Sequence, residues 1–280
     1  MKLGVFTVML PDLTPEKAVA ALVQTGYDGV EWRVAQLASE RKDEAPSFWG
    51  NNLCTLEPTQ ADAERARKLA DSAGLKIPNL GTYIGLGELE KVKAALAFAK
   101  TAGSPHFRIG FGNFSGRYAE QFGAAQAFLG DVIGLTRGSG VKPLVEIHHG
   151  TLLPSASLAE RLLARFSPDE VGVIHDAGNM VHEGFEDYRL GLELLGPYLA
   201  HVHLKNARFI AGEDGVQRAE WSPLGDGAVN FPKLLDALRS VGYDGWLVIE
   251  DFSAARPSNE ALRHNLKFVK TLLAAPPVSA

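Results

Sequence analysis

The chain has 280 residues, of which 46% are hydrophobic and 22% are charged, and its formal net charge is -5. Binding to a polyanion requires clustered Lys and Arg that displace counterions, so this acidic balance argues against a nucleic-acid partner. No stretch approaches the roughly 20 apolar residues of a membrane-spanning helix, and the N-terminus has no signal-peptide pattern. Cys54 is the single cysteine, which fits a reducing compartment. These features predict a cytoplasmic protein without a membrane partner.

Short apolar runs rich in Val and Ile alternate with segments of helical periodicity along the whole chain. The runs predict eight strands, at about 2–8, 29–33, 77–83, 106–111, 142–148, 171–176, 200–205 and 246–251. The clearest helical segments are Pro15–Thr25, Ala61–Ser72, Glu88–Ala102 and Phe231–Val241. Strands that alternate with helices pair in parallel through crossovers. Eight such units predict an α/β fold, a single (β/α)8 TIM barrel over residues 1–280. An open doubly wound sheet is the alternative, but no GxGxxG loop follows the first strand.

One connection is too long to be a simple loop. Residues 34–60 are polar and irregular, and because they follow the second strand they should project from the C-terminal face of the barrel. The segment is interpreted either as a lid over the substrate or as a surface excursion or subunit contact. Trp49 within it, and Trp32 just before it, could supply apolar walls for a sugar or could simply pack in the core.

Side-chain alternation separates the two faces of the last four strands. Residues such as Val145, Val202 and Leu247 face the helices, so their neighbours face the barrel interior, where the C-terminal ends of the strands form the active site. The metal-competent groups on this inner face of the fifth to eighth strands are Glu146, Asp176, the pair His201 and His203, and Glu250.

Each of these residues alone has a structural explanation as a cap, a loop ion pair or a hydrogen-bonded core histidine. Their coincidence on four successive strands favours a metal site, because three carboxylates crowded at one rim repel one another unless a cation lies between them. An oxygen-rich ligand set favours one divalent ion such as Mn²⁺, Mg²⁺ or Co²⁺, with Zn²⁺ also possible.

Several longer segments have a pattern that is typical of a known family. They are Val145-Glu146-Ile147-His148-His149, His175-Asp176-Ala177-Gly178-Asn179, His201-Val202-His203-Leu204-Lys205-Asn206, Pro223-Leu224-Gly225-Asp226-Gly227 and Asp244-Gly245-Trp246-Leu247-Val248-Ile249-Glu250. With these segments the chain resembles the sugar phosphate isomerase/epimerase family of xylose isomerase-like TIM barrels. The resemblance implies that the metal ligands are Glu146, Asp176, His203 (in preference to His201) and Glu250. It also implies that Glu146 and Glu250 are the catalytic acid and base on opposite faces of the substrate.

The function implied by this resemblance is a divalent-metal-dependent isomerase or epimerase, with Mn²⁺ as the expected ion. It would act on a small sugar or polyol ketone by proton transfer through a metal-stabilised enediolate. A lyase or dehydratase acting on a keto-inositol or cyclic keto-acid is the main alternative, and a non-catalytic sugar-binding barrel is a third. The endonuclease branch of the family is disfavoured by the net charge and by Asn179, where many relatives carry histidine. Relatives are often oligomers, so a homo-oligomer is possible, and a substrate without phosphate is expected because no P-loop is present.

The residues expected to contact substrate are His148, Asn179, His182, Lys205 and Arg208. His148 shares the inner face with Glu146. Asn179 can form hydrogen bonds but cannot act as a base, and His182, one turn further, could replace the missing histidine or lie on a loop surface. Lys205 and Arg208 follow the seventh strand and could hold an anionic or polyhydroxylated substrate, or could form solvated ion pairs.

Overall fold

Eight parallel strands form the central sheet of the computed structural model, which describes residues 1–37 and 39–276. Ala38, within the predicted loop 34–60, and residues 277–280, within the predicted 1–280 domain, lie outside the described residues. The strands are β1 (Lys2–Phe6), β2 (Gly29–Val34), β3 (Leu80–Thr82), β4 (His106–Ile109), β5 (Lys142–Glu146), β6 (Gly172–Asp176), β7 (Leu199–Leu204) and, after a hairpin β8 (Asn206–Ala211) and β9 (Gln217–Ser222), β10 (Trp246–Ile249).

The strand order is that of a barrel. Hydrogen-bonded neighbours run β3-β2-β1-β10-β7-β6-β5-β4, so β1 and β10, from opposite ends of the chain, pair side by side. The two outer strands of this order, β3 and β4, meet where the Gly110 N–H donates to the Ile84 carbonyl at 2.8 Å and Arg108 Nε donates to the Thr82 carbonyl at 3.0 Å. These contacts close the circle, and the predicted (β/α)8 fold is confirmed.

The helices surround the strands on the outside of the barrel. They are α1 (Pro15–Thr25), α2 (Gln60–Ser72), α3 (Leu89–Ala102), α4 (Tyr118–Thr136), α5 (Ala156–Leu163), α6 (Ala177–His182), α7 (Tyr188–Leu195), α8 (Phe231–Ser240) and α9 (Ser258–Ala274). Apolar faces of these helices share one core with the outward-facing strand residues Val30, Val145, Val202 and Leu247. Within the described ranges, no helix is long and apolar enough to cross a membrane.

The interior of the barrel is filled rather than hollow. Phe6 and Val248 form a small fully buried apolar cluster inside it. Gly81 makes room for Phe6, because a Cβ at that position would lie 2.1 Å from the Phe6 ring. The Phe6 ring in turn lies against the His203 imidazole, with their centroids 5.8 Å apart. Water-accessible space therefore begins only above this layer, at the C-terminal ends of the strands.

Two segments that follow strands cover this C-terminal mouth. The β8–β9 hairpin was not among the predicted strands, which place the end of the seventh strand at about residue 205. It pairs in register from Asn206↔Ser222 to Ala211↔Gln217. The long segment after β2 is fixed to the barrel by Asn52, which is fully buried and donates from Nδ2 to the Val8 carbonyl at 2.8 Å. Its role as a lid stays a prediction.

Candidate metal centre

Four side chains meet at the mouth of the barrel, each from a different strand end. Glu146 and Asp176 are the last residues of β5 and β6, His203 is in β7, and Glu250 directly follows β10. All four are buried. Each offers one ligand atom, and these four atoms lie within 4.8 Å of one another. The strands thus bring together the four residues that the sequence predicted.

The His203 imidazole uses its two nitrogens differently. Its Nδ1 faces the cluster, at 3.3 Å from Glu146 Oε1, 3.8 Å from Asp176 Oδ2 and 3.9 Å from Glu250 Oε2. Its Nε2 faces away from the cluster and lies 3.2 Å from Glu31 Oε2. Burial opposes a charge on the ring, but the surrounding carboxylates outweigh it and raise the pKa of His203 well above its ordinary value.

Two buried cations contact the same carboxylates. The Arg108 guanidinium is ion-paired with Glu146, and the Lys205 ammonium is ion-paired with Glu250 and lies 2.9 Å from Asp176 Oδ2. Burial raises the pKa of Glu146, yet Arg108 and His203 more than reverse this and hold it well below the usual range. At Glu250 burial dominates over Lys205, so its pKa is raised. The two glutamates therefore lie in electrostatically different surroundings.

The donor set fits a divalent cation on two observations. Glu31, Glu146, Asp176 and Glu250 contribute four negative charges to this contact network, whereas Arg108 and Lys205 contribute two positive charges, which leaves a net charge of -2 once His203 is in the neutral form that a metal ligand requires. In addition, Asp176 Oδ2 is buried and, apart from its ion pair of 2.9 Å with Lys205, makes no hydrogen bond within the described part of the chain. A divalent ion held by Glu146, Asp176, His203 and Glu250 would neutralise the cluster and satisfy that oxygen.

A cavity of about 440 Å³ opens directly above these residues. Its walls include Glu146, Glu250, Arg108 and Lys205 at the base and the aromatic side chains Trp49, Tyr83, Trp221 and Phe252 higher up. Trp221 comes from the β8–β9 hairpin and Trp49 from the long segment after β2. The site is thus a charged floor beneath an aromatic rim, in agreement with a polar ligand that has apolar faces.

Of the five predicted substrate contacts, the structure brings His148 and Lys205 to the cavity wall. Asn179 lies behind the wall. Its Nδ2 donates to the Ile147 carbonyl at 3.1 Å and, at 3.4 Å, to Glu146 Oε1, so it orients a proposed ligand. Asn179 Oδ1 lies 3.1 Å from His149 Nδ1.

His182 also lies behind the wall, in a stack of rings. Its imidazole is 4.2 Å from that of His149 and 4.5 Å from the Trp221 ring, measured between centroids. Burial, together with the neighbouring His148 and His182, lowers the pKa of His149 to about 4. His149, which the sequence analysis did not select, faces the cavity in this stack.

Arg208 does not line this cavity, and its contact with substrate stays a prediction. It is half-exposed on the hairpin and forms ion pairs of 2.8 Å with Glu220 and Asp226, which hold it away from the cavity wall. Trp32 likewise supplies no wall for a sugar, because it is fully buried in the core between strands and helices. Both outcomes match the structural alternatives that the sequence left open.

The sequence analysis missed two charged residues of the site, Glu31 and Arg108. Both were detectable by the same alternation that found the ligands: Val30 and Trp32 face the helices on either side of Glu31, and Phe107 and Ile109 do so on either side of Arg108. The prediction from side-chain alternation covered only the last four strands.

Fold and site together define a barrel protein whose mouth brings together a cluster of groups suited to a divalent metal ion. The chain belongs to the xylose isomerase-like TIM barrel family, which matches residues 19–272, and the predicted family resemblance is confirmed.

Individual relatives are distant. The chain is 23% identical to an inosose dehydratase of Lacticaseibacillus casei, over 90% of this chain and 88% of that protein. Among solved structures, the IOLI protein with a bound zinc atom superimposes with a TM-score of 0.76 at 16% identity, covering 98% of both chains. The 3-keto-D-glucoside 4-epimerase of E. coli does so with a TM-score of 0.72 at 18% identity, covering 97% of this chain and 99% of that one. These structural matches show the shared fold.

Proposed function

We propose that this protein is a divalent-metal-dependent enzyme that removes a proton next to the carbonyl group of a small polyhydroxylated ketone, and that isomerisation or epimerisation follows. The observation that carries the proposal is the cluster of Glu146, Asp176, His203 and Glu250, whose ligand atoms lie within 4.8 Å of one another at the base of a cavity of about 440 Å³. The epimerase among the structural neighbours supports the same chemistry.

The proposed roles follow from position. Glu146 and Glu250 line the cavity and are the pair that takes up and returns the proton. A bound divalent ion would polarise the carbonyl and stabilise the negative charge that develops on its oxygen. The Lys205 ammonium, which borders the cavity beside Glu250, donates hydrogen bonds to substrate oxygens, and His148 provides a second polar contact. Asn179 acts behind them by orienting Glu146.

We further propose Mn²⁺ as the ion and a substrate without phosphate. The ligand set of three carboxylates and one imidazole supports a hard or borderline cation, and the zinc atom in one structural neighbour supports a divalent ion more generally. The two strong cations of the cavity wall, Arg108 and Lys205, are already paired with carboxylates, so neither brings an uncompensated positive charge for a phosphate group. A cytoplasmic location and a homo-oligomer stay predictions.

Dehydration is the second candidate outcome of the same first step. It is favoured by the likeness to an inosose dehydratase, which extends over 90% of the chain. A dehydratase would remove the same proton and then expel a hydroxyl group from the next carbon. The glutamate that took up the first proton would return it to this leaving group, which departs as water.

The test compares wild type with Glu250→Gln, and uses Glu260→Gln on the exposed start of α9 as the matched control. Metal content is measured by elemental analysis, and ketoses and cyclic keto-polyols are incubated in deuterated water with added Mn²⁺. We expect one divalent ion per wild-type chain and exchange of the hydrogen next to the carbonyl. This exchange should fall by about 10²–10⁴-fold in Glu250→Gln and stay unchanged in the control.

A protein that binds no ion when Mn²⁺ is supplied, or that exchanges equally well as Glu250→Gln, would contradict the proposal. Mass spectrometry of the product then separates the two outcomes. An isomer or epimer keeps the mass of the substrate, whereas a dehydration product has lost one water.

A further inference from the structure

A carboxylate outside the proposed ligand set lies directly behind it. Glu31 is in β2 and is completely buried. Its Oε2 lies 2.9 Å from His201 Nε2 and 3.2 Å from His203 Nε2, and its Oε1 accepts a hydrogen bond of 3.0 Å from Asn79 Nδ2. Three nitrogens from two other parts of the barrel therefore converge on a single carboxylate.

The chemistry of a carboxylate decides which His203 nitrogen carries the hydrogen. An ionised carboxylate can only accept hydrogen bonds, so each nitrogen that contacts it must donate. The three nitrogens give both oxygens of Glu31 a donor partner, an arrangement that suits the ionised carboxylate. With its hydrogen on Nε2, a neutral His203 has its lone pair on Nδ1, the atom that faces Glu146, Asp176 and Glu250.

We infer that Glu31 is the positioning residue of the metal centre: by accepting from His203 Nε2 it orients the imidazole and leaves Nδ1 free as the ligand atom. This inference rests on the metal site proposed above. Hydrogen bonds of this kind to the second nitrogen of a metal-bound histidine fix the ring and raise its basicity, and their loss typically weakens metal binding by about 10–100-fold.

His201 offers an internal contrast to His203. It contacts the same Glu31 oxygen, but its other nitrogen, Nδ1, is buried without a hydrogen-bond partner in the described residues. His201 therefore shares Glu31 with His203 but presents no nitrogen to the proposed ligands. A variant at His201 disturbs the same buried network without changing the partner of His203, which makes it the matched control.

The experiment measures Mn²⁺ affinity by calorimetric titration for wild type, Glu31→Gln, Glu31→Asp and His201→Gln. Circular dichroism and thermal unfolding verify that each is folded. We expect Glu31→Gln to bind about 10–100-fold more weakly, because an amide can present its NH2 group to Nε2 and transfer the ring hydrogen to Nδ1. Glu31→Asp, which keeps an acceptor-only group, should recover part of the loss, and His201→Gln should stay within a few-fold of wild type.

A second readout identifies the nitrogens themselves. In protein labelled with ¹⁵N-histidine and loaded with Zn²⁺, the His203 spectrum of wild type should show a metal-bound Nδ1 and a protonated Nε2. In Zn²⁺-loaded Glu31→Gln the Nε2 signal should shift, because an amide replaces the carboxylate acceptor. Saturating Mn²⁺ should restore turnover in Glu31→Gln, because Glu31 does not line the cavity and is not one of the four proposed ligands.

Failure of this inference is distinguishable from failure of the proposed function. If wild type binds no metal, the proposed site itself is wrong. If wild type binds one ion and Glu31→Gln binds it equally well, or His201→Gln loses as much affinity, the positioning role is overturned while the site stands. Binding of a second ion that depends on Glu31 and His201 would also overturn it, since these groups would then be ligands.

Discussion

The two sides of the barrel mouth divide the work of the site. The ligand strands β5, β6, β7 and β10 place Glu146, Asp176, His203 and Glu250, which together form a concentration of negative charge. The support strands β2 and β4 place Glu31 and Arg108 on the opposite side, where one orients a ligand and the other neutralises one. The charge and orientation of the metal-competent cluster thus depend on buried residues that are not among its proposed ligands.

The largest effect is expected when the positive charge on the support strands is removed. Arg108→Met replaces a buried guanidinium that is ion-paired with Glu146 and leaves that carboxylate without its strong partner. Breaking a buried ion pair in this way typically costs about 3–5 kcal/mol. We expect the free energy of unfolding of the metal-free protein, measured by urea denaturation, to fall by that amount. Saturating Mn²⁺ should recover more stability in the variant than in wild type, because the ion compensates Glu146.

Arg137→Met is the control, since Arg137 forms an exposed ion pair of 2.7 Å with Glu170. Pairs of that kind are worth about 0–1 kcal/mol. Equal losses of unfolding free energy for the two variants would mean that Arg108 contributes no more than a surface charge. The proposed division between ligand strands and support strands would then be wrong.

How far the sequence predicts the site differs between the same two sides. Alternation of side chains located all four proposed ligands because each lies at or near the C-terminal end of a strand, on the face opposite to apolar residues such as Val145, Val202 and Leu247. The same alternation marks Glu31 and Arg108 as inward-facing, but it cannot tell which partner each will meet across the barrel. Arg208 illustrates the limit from the other direction: position after a strand suggested the cavity, yet its partners Glu220 and Asp226 lie on a hairpin and a turn that local pattern did not predict. The partners of these three residues are determined by contacts between distant parts of the chain, which local sequence pattern does not reveal.

A second prediction compares two residues of one support strand. His106 and Arg108 share the inner face of β4, but Arg108 forms an ion pair with Glu146 whereas His106 Nδ1 lies 3.0 Å from the Pro78 carbonyl oxygen. Burial, aided by His201, lowers the pKa of His106 from 6.5 to about 4. The unfolded chain therefore takes up a proton below pH 6.5 that the folded protein refuses until about pH 4, so His106 destabilises the fold progressively as the pH falls through this window.

The variant His106→Gln removes this titration. We expect its free energy of unfolding, followed by denaturant titration at several pH values, to decrease less steeply than that of wild type between pH 6.5 and 4. The exposed residue His264 supplies the control, because His264→Gln should leave the slope unchanged. Parallel pH profiles for wild type and His106→Gln would show that His106 is not held neutral by the fold.

The smallest effect is expected above the site, where the two covering segments bring aromatic rings to the cavity. The Trp49 ring lies 5.0 Å from that of Phe252 and meets the Tyr83 ring edge-on at 6.3 Å; it is half-exposed, at 52%, and touches none of the proposed ligands. Since an aromatic contact is worth about 0.5–1.5 kcal/mol, Trp49→Ala should raise KM by about 2–10-fold while kcat changes little. Phe185→Ala, which removes an equally exposed ring on the segment before α7, should change neither constant. A parallel fall in kcat for Trp49→Ala would instead show that this ring takes part in the chemical step. The long segment after β2 would then act on the reacting atoms, as the ligand strands do, and would not serve only to retain the substrate.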